Sequence, residues 1–247
     1  YNLIESSVEN QFKSSISDYL QSNIDCEKMV LLSNPCNPTG ITRSGKELKD
    51  LVDQSSNYPF GLLVDEAYEL FHDKPVSAIE YIDDINKSNL FIAGAATKGL
   101  QAPGIRIGWV VAAKSHIEIL GNFSSFGMGG VSRPSQLYAL ELFDDSRIEL
   151  AREAIPKFYS YQRDRYAEKF NEMGLEVFSG SGGFYHWCKL GGELNSSELN
   201  ERLFKYGAAI LKGTDCDMER LGVKSPLNQF FRFSFGPLLP DSFDLDI

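Results

Sequence analysis

The chain is poor in the residues that build metal centres and disulfide-stapled scaffolds. Of its 247 residues only four are cysteine and three are histidine. Cys26, Cys36, Cys188 and Cys216 form no Cys-x-x-Cys pair, and the scattered histidines complete no ligand set with them, so no metal-site spacing is present. Reduced thiols in a cytoplasmic protein are the simplest account. Positive charge is also short. Lysine and arginine number 24 against 34 acids, a net charge of -10. That balance opposes nonspecific nucleic-acid binding and supplies no basic patch for a membrane surface. No apolar run approaches the ~20 residues of a membrane-spanning helix. No signal-peptide pattern is visible, and neither internal repeats nor a low-complexity linker occur. No glycine-rich phosphate loop precedes the first strand.

What is present is an ordinary apolar content, 43%, enough for a sizeable core in one or two domains. The most informative stretch is Asn89-Leu-Phe-Ile-Ala-Gly-Ala-Ala-Thr-Lys98-Gly-Leu-Gln-Ala-Pro-Gly-Ile-Arg106-Ile-Gly-Trp. An apolar run delivers a lysine into a loop; an arginine and a second apolar run follow. Lysine is seldom buried without a partner. At the end of a core strand it is either a turn residue or a nucleophile, since a desolvated lysine loses its proton readily.

Two upstream stretches decide between these. Ser33-Asn-Pro-Cys-Asn-Pro-Thr-Gly40 follows the apolar run Met29–Leu32, and Gly61-Leu-Leu-Val-Asp65-Glu-Ala-Tyr68 ends an apolar run in an acid with a tyrosine three places on. Asparagine-proline pairs alone mean turns, and an acid after a strand alone means a helix N-cap. Yet open α/β sheets bind ligands at the carboxyl ends of their strands. Asn37, Asp65, Tyr68 and Lys98 all sit at such ends.

Periodicity supplies the organisation. Residues 5–23 read as a helix, with Val8, Phe12, Ile16 and Tyr19 at helical spacing. Strands are expected at 29–32, 61–64, 90–95 and 107–112. A helix is expected at 44–55, with Ser44 or Thr42 as N-cap and Glu47 completing a capping box. Helices near 115–122 and 133–144 lead into a long one at 146–173 that contains Pro156. Short strands at 176–178, 183–188, 209–212 and 230–235 then surround a helix near 196–206. Strands alternating with helices imply a mostly parallel sheet covered by helices, and the C-terminal pattern implies an α+β domain.

In their order, Asn-Pro-x-Asn-Pro-Thr-Gly, Asp-x-x-Tyr, Thr-Lys with Gly-x-Arg-x-Gly, and a late Arg232 resemble the class I/II aminotransferases, the aspartate aminotransferase-like family of pyridoxal 5'-phosphate (PLP) enzymes. The resemblance runs from about residue 1 to the end. It implies the α/β PLP-dependent transferase fold type I, with residues 1–145 as the C-terminal part of the large PLP-binding domain and 146–247 as the small domain. It implies transfer of an amino group between an α-amino acid and a 2-oxo acid, in a homodimer. Lys98 would be the catalytic residue, forming a Schiff base with PLP and shuttling a proton. Asp65 would meet the pyridine nitrogen, Tyr68 and Asn37 the phenolic oxygen, and Thr97 and Arg106 the phosphate. Arg232, flanked by aromatics, would grip the substrate carboxylate.

Tyr185 reads as core rather than ligand. The Asn37-Pro38 bond is expected to be cis. Where the family carries a hydroxyl three places before the lysine, this chain has Ala95, so one phosphate contact is missing. The family's N-terminal half, with its phosphate loop, its ring-stacking aromatic and a tyrosine lent by the partner subunit, finds no counterpart, so a C-terminal fragment or a truncated gene is expected. A PLP-dependent C–S β-lyase uses the same residues. An inactive fragment, or the effector-binding domain of a transcription regulator, is the alternative outside catalysis.

Overall fold

Apolar runs between turn residues set the first sheet. After a short helix α1 (Ile16–Leu20), strand β1 (Lys28–Ser33) leads to helix α2 (Gly45–Gln54), then to β2 (Phe60–Asp65), β3 (Leu90–Ala95) and β4 (Gly108–Ala112). The computed structural model describes residues 2–20, 28–57 and 60–247. The strands lie in the order β1-β2-β3-β4. The pairs β1-β2 and β2-β3 are parallel, with Ser33 opposite Asp65 and Asp65 opposite Ala93; β4 closes the edge antiparallel to β3.

Strand alternation sends Val30, Leu32, Leu62, Val64, Leu90 and Ile92 to one face. There they meet Leu48, Leu51 and Val52 of α2, which are fully buried. On β1 the opposite face carries Met29 and Leu31, 60% and 69% exposed.

The helices α3 (Lys114–Gly127), α4 (Arg133–Leu142) and α5 (Asp145–Glu172) follow, the last running through Pro156. Phe123, Phe126 and Leu140 stand exposed on α3 and α4. No helix among the described residues is long and apolar enough to cross a membrane.

The second sheet is antiparallel throughout. Its strands are β5 (Glu176–Val177), β6 (Tyr185–Lys189), β7 (Leu211–Lys212) and β8 (Phe230–Ser234), ordered β5-β6-β8-β7. Helix α6 (Ser196–Phe204) lies between β6 and β7 in sequence, and α7 (Phe243–Asp246) ends the chain. Asn195 caps α6 in a capping box with Glu198. Tyr166, Phe170, Cys188, Phe231 and Phe235 form one core, and Phe12, Trp187 and Phe230 another. His186 is buried among them. Its Nε2 lies 3.0 Å from the Arg163 carbonyl, so that nitrogen carries the proton and Nδ1 accepts from Ser179 Oγ at 2.9 Å. Burial lowers its pKa to about 4.

The chain divides into two compact units. One comprises residues 14–35 and 42–156; the other comprises residues 1–13, 36–41 and 157–247.

Three local expectations are corrected. Residues 5–15 are not helical: turns span 8–12, and Gln11 and Phe12 take φ of 54° and 58°. The helix keeps only Ile16–Leu20, and 21–23 lie outside the described residues. The stripe fails because its members serve different cores. Val8 and Phe12 pack with Trp187 and Phe230, while Ile16 and Tyr19 pack with the first sheet. The expected capping box at α2 is absent. Ser44 makes no side-chain cap; the Gly45 N–H donates to Tyr81 Oη at 2.8 Å instead, and Glu47 pairs with Arg43 at 3.6 Å. Finally, β6 begins at Tyr185 rather than Gly183, whose φ of 72° takes it out of the strand.

Phe12 ties the start of the chain to the second unit through edge-on contacts to Phe178, Trp187 and Phe230 at 5.4, 5.9 and 5.2 Å. Replacing this buried ring with alanine is expected to cost about 3–5 kcal/mol. Urea unfolding followed by tryptophan fluorescence checks it; a loss under about 1 kcal/mol would mean that the segment is not part of that core.

Candidate active site

Strand β2 ends at Asp65, and the chain turns at once into a 3-10 turn, Glu69–Phe71. The Ala67 N–H donates to Asp65 Oδ1 at 3.0 Å, so the acid folds back on its own turn and keeps its second oxygen for another donor. Asp65 is half-buried and Tyr68 is 9% exposed. The peptide between Asp65 and Glu66 is fastened on both sides. The Asp65 carbonyl accepts from the Asn34 N–H at 2.9 Å, and the Glu66 N–H donates to the Ala93 carbonyl at 2.8 Å.

The loop after β3 carries Thr97 and Lys98, both half-buried. It closes on itself: the Ala96 N–H donates to the Ile107 carbonyl at 3.1 Å, and the Gln101 N–H donates to the Lys98 carbonyl at 2.9 Å. Lys98 Nζ lies 5.7 Å from the centre of the Tyr68 ring, within reach of a cation–π contact. The next residue sits close to that turn. A Cβ on Gly99 would stand 2.9 Å from Leu70 Cδ1. The lysine loop is thus packed directly on the turn that carries Tyr68.

Arg106 is placed differently from its neighbours. It is exposed, adopts the left-handed conformation (φ 54°, ψ 50°), and donates from Nη1 to the Pro103 carbonyl at 3.0 Å. That contact uses one of the five guanidinium donors.

The second unit brings together the other two predicted residues. Arg232 on β8 donates from Nη1 to Asn37 Oδ1 at 2.7 Å, and its guanidinium lies 5.3 Å from the Tyr185 ring. Arg232 Nε is buried with no hydrogen-bond partner among the described residues. An orphaned guanidinium nitrogen on an aromatic face suits a carboxylate. Asn37 is exposed, and the Asn37-Pro38 bond is cis, as is Asn34-Pro35. Tyr185 is fully buried, and its hydroxyl donates to the Cys36 carbonyl at 3.1 Å. Glycines set this loop against the small sheet's entry. The Gly180 N–H donates to the Thr39 carbonyl at 2.7 Å, and a Cβ on Gly180 would lie 2.4 Å from the Gly40 oxygen.

The sequence reading passed over two residues that support the site. Asn34 is fully buried and grips Arg43 on both sides of its backbone: Nδ2 donates to the Arg43 carbonyl at 3.0 Å, and Oδ1 accepts from the Arg43 N–H at 2.7 Å. Glu66, next to Asp65, is 4% exposed. Its Oε1 accepts from the Ala78 N–H at 2.7 Å and its Oε2 from Ser77 Oγ at 2.6 Å. An acid in a core strand's last turn was the available signal. Burial pushes the Glu66 carboxyl up to about 7, helped by the charges of Glu69 and Glu80 and opposed by its two hydrogen bonds. Burial also raises Glu69, against the attraction of Arg152.

Because the folded pKa of Glu66 lies above its ordinary 4.5, the fold binds more protons than the unfolded chain between those values. Its stability is full below about pH 4.5 and drains away as pH rises through 7. The shift corresponds to about 3 kcal/mol. Glu66→Gln removes the dependence. Urea titrations at pH 5 and pH 8 should show the variant gaining on the wild type by about that amount at the higher pH; parallel curves would refute it.

Comparison with known proteins gives the family and the fold. A family model described as aminotransferase class I and II matches residues 4–242. The aspartate aminotransferase of Pyrococcus abyssi is 26% identical over 210 residues, 83% of this chain and 54% of the relative. A 1-aminocyclopropane-1-carboxylate synthase 4 of Solanum lycopersicum is 31% identical over 195 residues, 74% of this chain and 40% of the relative. A solved aspartate aminotransferase from Thermus thermophilus, a double mutant, superposes with a TM-score of 0.79 at 22% identity, covering 94% of this chain and 59% of that one. The fold is therefore that of the solved aspartate aminotransferases, fold type I, and the chain spans about half the length of the curated relatives it matches.

Proposed function

The chain belongs to the class I and II aminotransferases, and from that premise we propose that it serves PLP-dependent transfer of an amino group between an α-amino acid and a 2-oxo acid. The observation that carries the reading is the packing of the Lys98 loop on the Tyr68 turn at the end of the strand bearing Asp65. When bound, PLP supplies an electrophilic carbon and an electron-withdrawing ring. Lys98 is the residue whose amine would hold that carbon, and the same amine would carry the proton at the substrate α-carbon. The Asp65 carboxylate holds a proton on the ring nitrogen. Tyr68 and Asn37 donate to the phenolic oxygen; Thr97 and Arg106 bind the phosphate. Arg232 orients the substrate through its carboxylate, with Asn37 already fixing one guanidinium nitrogen.

Under the same reading, residues 1–145 are the C-terminal part of a large cofactor-binding domain and 146–247 a small domain. The protein is a cytoplasmic homodimer. Exposed Met29, Leu31, Phe123 and Phe126 supply apolar surface that favours association. Sedimentation of the chain at micromolar concentration should therefore show a dimer or larger species; a clean monomer would count against it.

PLP added to the 247-residue chain should give a visible absorption band that Lys98→Ala lacks. Identical bands in wild type and Lys98→Ala would refute the role of Lys98. Assay with and without a 2-oxo acid separates amino transfer from β-elimination.

A further inference from the structure

Glu66 is a side chain that the chemistry above does not use, and it is expensive to bury. A carboxylate with 4% exposure carries a desolvation penalty that is offset, and then only in part, when both oxygens are engaged. Here both are, and their partners lie eleven and twelve residues away, at Ser77 and Ala78. These are the cap and first residue of a 3-10 turn, Ala78–Tyr81; Ala78 is fully buried in the core of the first sheet. The backbone of Glu66 is fixed independently, through its N–H on the Ala93 carbonyl. A glutamate at this position therefore anchors one peptide to two parts of the fold.

That peptide is the one shared with Asp65. Asp65 holds Ala67 through Oδ1, and Tyr68 follows. Glu66 also borders a cavity of about 60 Å³ whose other walls include Ala95 at the end of β3 and Gly99 and Leu100 of the lysine loop, together with Glu69 and Arg152. Glu66 thus holds the 77–78 segment through its carboxyl, adjoins the Asp65–Tyr68 turn, and shares that cavity with the loop of Lys98. A leucine or methionine would fill the same volume at no desolvation cost. It would offer nothing to Ser77 Oγ or the Ala78 N–H.

We propose that Glu66 is a positioning residue. By holding Ser77 Oγ and the Ala78 N–H it fixes the end of β2, so that Asp65 and Tyr68 are presented to the cofactor in one orientation. The inference rests on the reading that Asp65 meets the ring nitrogen, and the experiment separates the two. Both carboxyl oxygens of Glu66 are taken up by Ser77 and Ala78, so its action runs through Asp65.

Amide hydrogen exchange measured by NMR on the chain without cofactor reads the effect directly. The Ala78 N–H reports the anchor, and the Ala67 N–H reports the orientation of Asp65. In Glu66→Ala and in Ser77→Ala both amides should exchange at least about tenfold faster, while amides of α2 stay protected. Glu66→Gln keeps an acceptor for Ala78 and should hold Ala67 within about threefold of wild type. Faster exchange at Ala78 with Ala67 unchanged in both variants would overturn the proposal, leaving Glu66 a local brace. If Glu66→Ala fails to fold, Ser77→Ala decides alone.

A PLP titration adds the second readout. Glu66→Ala and Ser77→Ala should each weaken binding about tenfold, and Glu66→Gln should bind like wild type; unchanged binding in the first two would overturn the proposal. Asp65→Asn is the control for the underlying reading. If it leaves affinity and spectrum unchanged, the role given to Asp65 fails and the cofactor arm of the proposal with it. If it alters them while the Glu66 and Ser77 variants do not, only the positioning role fails.

Discussion

The peptide joining Asp65 to Glu66 is the constraint on which the candidate site depends. Its carbonyl receives the Asn34 N–H, and its N–H reaches the Ala93 carbonyl. One flat group therefore ties the asparagine-proline loop, the end of β2 and the strand leading to Lys98. Because a peptide is planar and its two flanking side chains project to opposite faces, fixing it separates two acids that adjoin in sequence. One stays half-buried, with an oxygen left for another donor. The other goes into the core, where burial drives it toward neutrality. Identical chemistry one residue apart acquires opposite character from the strand's alternation.

Much of this was legible beforehand. The four strands of the first sheet were each marked by an apolar run, and the long helix survived its proline. The family pattern was legible because its residues are spaced by strand ends, which sequence records directly. The motifs did not announce which of these residues pair: Lys98 Nζ lies 5.7 Å from the centre of the Tyr68 ring within one unit, and Arg232 donates to Asn37 within the other. Chain order could not reveal the second pairing by periodicity, since 195 positions separate its members.

What escaped notice has a common cause. The helical stripe over residues 5–23 counted apolar residues without asking which core each would enter. Two of them enter a different core from the other two, and a chain cannot stay helical while dividing its side chains that way. Ser44 and Glu47 matched a capping pattern, but Tyr81, 36 residues from Gly45, reached the helix start first. Glu66 was hidden behind its neighbour: an acid pair reads as solvated surface until tertiary contacts show that one member is buried. Local rules lost in each case to a partner distant in sequence.

The contact between Gly99 and Leu70 has a consequence for how this chain can vary. With 2.9 Å between a Cβ at 99 and the leucine's Cδ1, the two positions share one allotment of volume. Enlarging residue 99 alone would force the leucine's terminal methyl to shift. Trimming residue 70 alone would leave a void beneath the lysine loop. Substitutions there should be tolerated as compensating pairs, such as alanine at 99 with valine at 70, and the coupling free energy of a double-mutant cycle would be large even though neither residue carries a polar side chain.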